Sequence, residues 1–520
     1  MICVTEFRIR CDTQAVDGYG SRCLPCRLAK SERFDMKLSR IPLTLVFLAG
    51  TSLPALAAAS AEEAQRLTTA LQAYFTAEPG VVTVMPGGDS YNLKLDMAPF
   101  LAKVKEPGAS ASLSPLEMTL TDQGGGKWKV DQDQPLSFQV KVDGVLDMKG
   151  SIASIKGTGI FDEALGTFAS SSTDFAQFGF QQSVTENGVT TNVAYTIAAM
   201  HQESAMTGTG DAADGTVNAT FKDLRQTVSI PGTPEAGMPP MDFSITASGG
   251  SQGGTVKGLK PRAMNDLLAW LVARPSPEAI KADQAALKDK LRAAIPLFQN
   301  VAALATADDL SVNTMMGRFG LQKLEVLVDV NGVVDDGRLQ EKFSLTGLQM
   351  PDGIVPPWAA QLVPSKFTID FNIADFNLAA PARLIIDNFD LTQQPPIKPE
   401  MEQQLMQALL PKGSVTLSLG PSQILAALFD LNAEGSMQAG PMSMPSGSAN
   451  VRLKGLDDVM TALQAAPPEL GIQQMAPVVM MAKGMAKADA DGTLNWKIES
   501  TPDGGVLVNG VDLMKMGGGQ

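Results

Sequence analysis

The chain has 520 residues, with 41 Lys and Arg against 55 Asp and Glu. Setting aside the eight basic and five acidic residues of positions 1–57 leaves 33 against 50, a net charge of −17, which repels nucleic-acid phosphates and anionic head groups; no Lys/Arg-rich run offsets it, so nucleic acid is not an expected partner. With 44% hydrophobic and 18% charged residues the chain can bury a large core, and 48 Gly and 33 Pro against 6% aromatic residues predict many turns between short strands.

Met36 to Ser60, MKLSRIPLTLVFLAGTSLPALAAAS, has the pattern of a secretory signal. Lys37 and Arg40 make a positive n-region, Ile41 to Leu53 an apolar h-region, and Ala55-Leu56-Ala57 a small-residue cleavage site. A spanning helix needs about 20 apolar residues, and Pro42 and Pro54 bracket a shorter run. The expectation is a periplasmic chain from which residues 36–57 are removed, with no transmembrane span left after cleavage. Residues 1–35 are then expected to be a mis-assigned upstream start. That stretch holds Cys3, Cys11, Cys23 and Cys26, all the cysteines of the chain. Cys23-Leu-Pro-Cys26 lacks a second ligand pair, and the expected mature chain has no thiol for a disulfide or metal site.

Along the expected mature chain, Leu67, Leu71, Tyr74 and Phe75 lie on one face of a helix that begins near Glu62 and ends at Pro79-Gly80. From Val81 the period becomes two. Tyr91, Leu93 and Leu95, then Leu116, Met118 and Leu120, then Leu136, Phe138, Val140 and Val142 alternate with polar neighbours, as half-buried antiparallel strands do. Asp143-Gly144, Asn187-Gly188 and Asp214-Gly215 supply the positive φ that tight hairpin turns require. Phe175, Phe178 and Phe180 form an aromatic cluster expected in the core. The interval 58–260 is therefore expected to be an N-terminal β-rich half.

Helical spacing takes over in 261–309. One short helix carries Leu267, Leu268, Trp270 and Leu271 and stops at Pro275-Ser276-Pro277; a second places Ile280, Leu287, Leu291 and Ile295 on one stripe. Strands are expected to resume at Leu310 and to fill a C-terminal β-rich half, 310–520. Leu324, Val326, Val328 and Val330 alternate, as do Phe367, Ile369, Phe371 and Ile373. Met401–Leu410, Pro421–Phe429 and Ile472–Lys487 are expected helices, and 440–445 a loop. Strand, Lys-Gly-Leu, helix occurs at Thr255–Trp270 and again at Val451–Leu463, through either duplication of a module or coincidence. The fold class expected is α+β and β-rich: two large antiparallel, curved-sheet halves with a helical insert and short packing helices.

Chemistry is sparse. His201 is the single histidine, so triads using Cys-His and zinc sites needing several imidazoles cannot be built. Gly249-Gly250-Ser251-Gln252-Gly253 matches a nucleophile elbow in letters but is followed by glycine and strand rather than helix. Asp489-Ala-Asp491-Gly492 and Asp329-Val-Asn331-Gly332 resemble fragments of calcium loops without the closing Glu, and read as turns. No catalytic residue, metal ligand or cofactor is nominated. Methionine is the unusual component, with Met475, Met480, Met481 and Met485 in one helical stretch. Flexible core filling, Cu(I) ligation by thioethers, and an adaptable apolar surface all remain open for it. On the third reading Trp270, Leu271, Met475, Met480 and Met481 are the candidate apolar ligand surface.

The signal-type segment, the early helix ending Tyr74-Phe75, the strand-rich body and the ending Gly505-Val-Leu-Val-Asn-Gly510 resemble an uncharacterised family of Gram-negative exported proteins of the domain of unknown function 2125 type. A more distant similarity is to periplasmic AsmA-like envelope proteins, whose curved sheets present an apolar groove. That family carries an N-terminal membrane anchor where this chain has a cleavable signal, and no functional residue carries over. The resemblance implies a non-enzymatic exported protein binding a lipid-like ligand or an envelope partner. An assembly factor of the envelope without a small ligand, and a hydrolase with carboxylate chemistry, are the alternatives.

Overall fold

A computed structural model describes residues 58–103, 107–186, 188–232, 239–441 and 443–513. Residues 36–57 of the signal-type segment, the upstream residues 1–35 and Asn187 lie outside that set. Among the described residues no helix is long and apolar enough to cross a membrane.

Helix α1 (Ala61–Gln72) starts at Ser60, whose Oγ accepts the Glu63 N–H at 3.1 Å, while Glu62 and Glu63 complement the dipole of the first turn. Its buried face, Ala64 and Leu67, packs on the hairpin of β1 (Val82–Gly87) and β2 (Ser90–Leu95). Tyr91 and Trp128 close this small core edge to face, ring centroids 5.8 Å apart. After the short α2 (Ala98–Leu101), β3 (Ala109–Leu113) and β4 (Leu116–Gly124) lie end to end along β5 (Lys127–Val142). A meander follows: β6 (Leu146–Asp162), β7 (Thr167–Glu186), β8 (Val189–Thr209), β9 (Ala212–Ile230) and β10 (Met241–Leu259), each antiparallel to the last. Asp143-Gly144 is a hairpin turn as expected, with Gly144 at φ 71°. Asp214-Gly215 is not: it lies inside β9, where the Asp214 carboxylate accepts the Gly258 N–H at 2.8 Å.

The insert comprises α3 (Pro261–Val272), α4 (Pro277–Ala282) and α5 (Gln284–Ala294). It ends earlier than expected, because β11 (Asn300–Thr314) begins at Asn300 rather than Leu310. Ala302, Ala303, Ala305 and Ala307 favour helix intrinsically, but pairing with β10 from Ser244↔Asn313 to Lys257↔Asn300 overrides that preference. The same pairing carries the sheet past the insert without a break. There follow β12 (Gly317–Asn331), β13 (Gly337–Thr346), β14 (Pro364–Phe376), α6 (Ala379–Asn388), α7 (Glu402–Leu409), β15 (Val415–Ala426), β16 (Asp430–Gly440) and β17 (Ser443–Lys454). The expected helix from Pro421 is the second part of β15; Pro421 sits at a bulge, where its missing N–H costs the ladder nothing. The chain closes with α8 (Leu456–Gln464), α9 (Ala476–Met485), β18 (Lys487–Ala488), β19 (Leu494–Ser500), β20 (Val506–Val508) and β21 (Val511–Asp512). Both Lys-Gly-Leu copies turn from strand to helix on a left-handed glycine, Gly258 at φ 60° and Gly455 at φ 87°.

β1 pairs with β2 and β21 with β20, and every strand pairing is antiparallel. The protein is thus β-rich, one large curved and unclosed antiparallel sheet with a few short helices. Because each strand from β10 to β17 reverses the last, α3–α5 and α6–α7 fall at one rim and α8–α9 at the other.

The strands are longer than the turn-rich composition implies; β8 runs for 21 residues. A crease across the sheet explains why the alternation looks shorter. In β8 the exposed positions as far as Ala205 are Asn192, Thr196 and Ala198, and then Ala199, Glu203 and Ala205, so the parity of the pattern changes at one point. In β6 the change is a bulge against β5, between the pairs Gln134↔Ile155 and Leu136↔Ile152. In β7, β9 and β11 it falls at residues with left-handed backbone, Gln177 at φ 51°, Asp223 at φ 52° and Asp309 at φ 49°. Ala198 and Ser248 are their opposite numbers on β8 and β10, so the line is transverse. Phe178, Ile197 and Leu224 on one side of it are continued by Phe175, Met200 and Phe221 on the other.

Candidate functional site

Directly opposed residues of an antiparallel pair share a face, so the registers from β13 to β20 build rows of side chains across the strands. One row is Leu345, Phe367, Ile424, Leu431, Leu453 and Leu494. A second starts at Glu341 and continues through Phe371, Leu419, Gly435, Ala449, Ile498 and Val508. A third runs Leu339, Ile373, Leu417, Met437, Gly447, Ser500 and Val506.

Between the second and third rows lies a trough of about 360 Å³ lined by Phe371, Leu417, Leu419, Met437, Ala449 and Ile498. Its walls are open to solvent: Phe371 is 40% exposed, and Met437 and Ile498 are 36% exposed. Gly435 belongs to its floor, and a Cβ there would lie 2.6 Å from the Ala449 Cα, so only glycine lets the two strands approach. α9 bounds this face. Trp496, on the same face opposite Val451, donates its indole N–H to the Ala482 carbonyl at 2.7 Å, and the Asn509 side-chain amide donates to the Met485 carbonyl at 2.7 Å.

The candidate residues from the sequence are not brought together. Trp270 is buried, 7% exposed, beneath the Arg274 guanidinium at 4.2 Å, and its indole N–H has no hydrogen-bond partner among the described residues. Leu271 is exposed on α3, beside Met264 and Leu268. Met480 and Met481 are exposed on α9, at 58% and 52%. Met475 falls in a short 3-10 turn, Ile472–Met475, and its side chain lies outside the described set. α3 follows β10 and α9 follows β17, which puts the two helices at opposite rims; of the two, α9 is the one fastened to the trough's face, through Trp496, and none of its residues is part of the trough lining. The trough residues themselves were visible as alternating strands, but nothing local marks which alternating face stays uncovered.

A larger polar cleft, about 810 Å³, lies on β2 and β4–β7 and includes Lys94, Glu117, Asp131, Asp133, Lys156 and Asp174. Its carboxylates are largely engaged. Asp131 meets Lys129 at 2.8 Å and the Thr158 hydroxyl at 2.7 Å, Asp133 meets Lys156 at 3.6 Å, and Asp174 meets His201 Nδ1 at 2.8 Å. Burial works to raise the Asp131 carboxyl, but the bonds from Lys129 and Thr158 hold it below the ordinary carboxylate value. A general acid near neutral pH needs the opposite shift. His201 is raised by Asp174 first and by Glu203, 3.1 Å from Nε2, second. Ser251 of the Gly249–Gly253 motif lies within β10, and its hydroxyl is 3.0 Å from that of Thr306. Asp491 takes the Thr493 N–H at 3.1 Å and lies 3.3 Å from Lys454, in the turn between β18 and β19.

These features define a class, an open single-sheet antiparallel protein with an uncovered apolar trough. No family model, curated protein or solved structure matches the chain.

Proposed function

We propose that this is a non-enzymatic periplasmic protein that holds the hydrocarbon chain of a lipid-like amphiphile in the trough between Phe371 and Ile498. The observation that carries this reading is the half-exposed apolar lining, with no helix laid over it among the described residues. Leaving such surface in water is unfavourable by about 25 cal/mol for each Å², and a flexible chain lying across the strands removes it from water without requiring polar partners. Large uncovered apolar patches mark binding surfaces more often than they mark inert surface. The resemblance to periplasmic proteins of envelope lipid handling supports the same reading, and the lowered Asp131 carboxyl is not poised as a general acid in the polar cleft.

The test is binding of N-phenyl-1-naphthylamine, an uncharged fluorophore that brightens in apolar sites. The protein is expected to enhance its emission, with loss on Met437→Asp, which puts a charge into the trough at little cost to folding because the side chain is already partly exposed. An unchanged signal in folded Met437→Asp protein, or no signal with the wild type, removes the proposal.

A further inference from the structure

In the three rows that flank the trough one position is charged, Glu341. It lies on β13 directly between Val328 of β12 and Phe371 of β14, with Leu339 and Phe343 two residues away on the same face. Its neighbour Lys342 occupies the alternate parity and faces away from the row. No ion pair or hydrogen bond engages the Glu341 carboxylate among the described residues, and Arg338 is taken by Asp329 at 3.1 Å. The side chain is exposed.

A charge on an apolar face can guard an edge strand against pairing with another chain. That explanation fails here, because β13 is paired along both sides, with β12 and β14. A carboxylate beside an apolar trough has a direct effect on what the trough accepts. A hydrocarbon chain laid over Phe371 displaces water around Glu341, and an unpaired carboxylate losing water is unfavourable unless the ligand supplies a positive charge or a donor.

Resting on the reading that the trough holds an apolar chain, we infer that Glu341 is a specificity-determining residue that selects amphiphiles bearing an ammonium head group and rejects those ending in a carboxylate. The chain lies along Phe371, Leu419 and Ile498, and the head group sits at the β13 end of the row, where the ammonium donates to the Glu341 carboxylate. A fatty-acid anion in the same pose sets two carboxylates against each other.

The experiment displaces N-phenyl-1-naphthylamine from the protein with dodecylammonium, dodecanol and dodecanoate, which share one chain and differ in head group. Wild-type protein is expected to bind dodecylammonium roughly tenfold more tightly than dodecanoate, the size of one charge-assisted hydrogen bond, with dodecanol between them. In Glu341→Gln, an isosteric change at an exposed site, the three affinities converge while the fluorophore itself binds as before. Equal affinities in the wild type overturn the inference. So does an unchanged order in Glu341→Gln, which assigns the preference to the overall negative charge of the protein. Failure of the fluorophore to bind the wild type is a separate outcome, and it removes the trough reading on which the inference stands.

Discussion

The indole N–H of Trp496 on β19 donates to the main-chain carbonyl of Ala482 on α9 at 2.7 Å. This bond fastens a helix whose outer face carries exposed methionines to a strand whose side chains belong to the apolar face. Trp496→Phe keeps an aromatic ring but removes the donor and the five-membered part of the indole, at a cost of at least about 1 kcal/mol. The expected outcome is faster amide hydrogen exchange across α9, with β12–β14 unchanged. Equal exchange in α9 would show that the helix is held by packing alone.

The exposed methionines separate the two rims of the sheet. Met480→Asp and Met481→Asp change side chains that are 58% and 52% exposed, so each is expected to shift stability by no more than about 0.5 kcal/mol. Naphthylamine binding should weaken in both, because α9 is fastened to Trp496, two residues from Ile498 on the trough's face. Leu271→Asp at the opposite rim should leave it unaltered. Equal effects at the two rims would sever the link between α9 and the trough.

His201 offers a single-site pH measurement, since it is the one histidine of the sequence. Asp174 and Glu203 raise its pKa above the ordinary 6.5. The stabilisation from these contacts is therefore complete below pH 6.5 and is lost as pH rises through the folded-state value. An imidazole titration followed by NMR should have its midpoint above 6.5, and Asp174→Asn should lower it. A midpoint at or below 6.5 would mean that the two carboxylates do not hold the ring in solution.

The crease predicts an inverted mutational pattern. Valine normally suits a strand, yet Gln177 has φ 51°, where a β-branched side chain is strained by about 1–2 kcal/mol. Gln177→Val should lower the melting temperature, and Gln177→Gly should be tolerated. Gln181→Val, an exposed position further along β7, should have little effect. A harmless Gln177→Val would mean that the strand runs straight.

Local chemistry settled much of the architecture. The alternation of Phe367, Ile369, Phe371 and Ile373 announces β14, the capping of α1 is written in Ser60, Glu62 and Glu63, and the prolines around Ser276 separate α3 from α4. Each is a preference exercised over a few residues. The crease has no such mark: Gln177, Asp223 and Asp309 have left-handed backbones because neighbouring strands bend together, and the resulting change of parity makes one long strand look like two short ones.

Asn300–Leu310 shows the same limit from the other direction. Its alanines carry little strand preference of their own, and the ladders to β10 and β12 make them a strand. Composition and period determined that this is a β-rich chain of antiparallel strands with apolar faces. Tertiary structure alone decided which face stays open. Phe371, Leu419 and Ile498 come from strands far apart in sequence, and their cover depends on where α1, α3–α7 and α9 fall relative to a sheet that does not close. Trp270 and Leu271 are adjacent in sequence and equally apolar, yet one is buried and the other exposed. Periodicity can assign a residue to a face, but the partner of that face is set by contacts between distant parts of the chain.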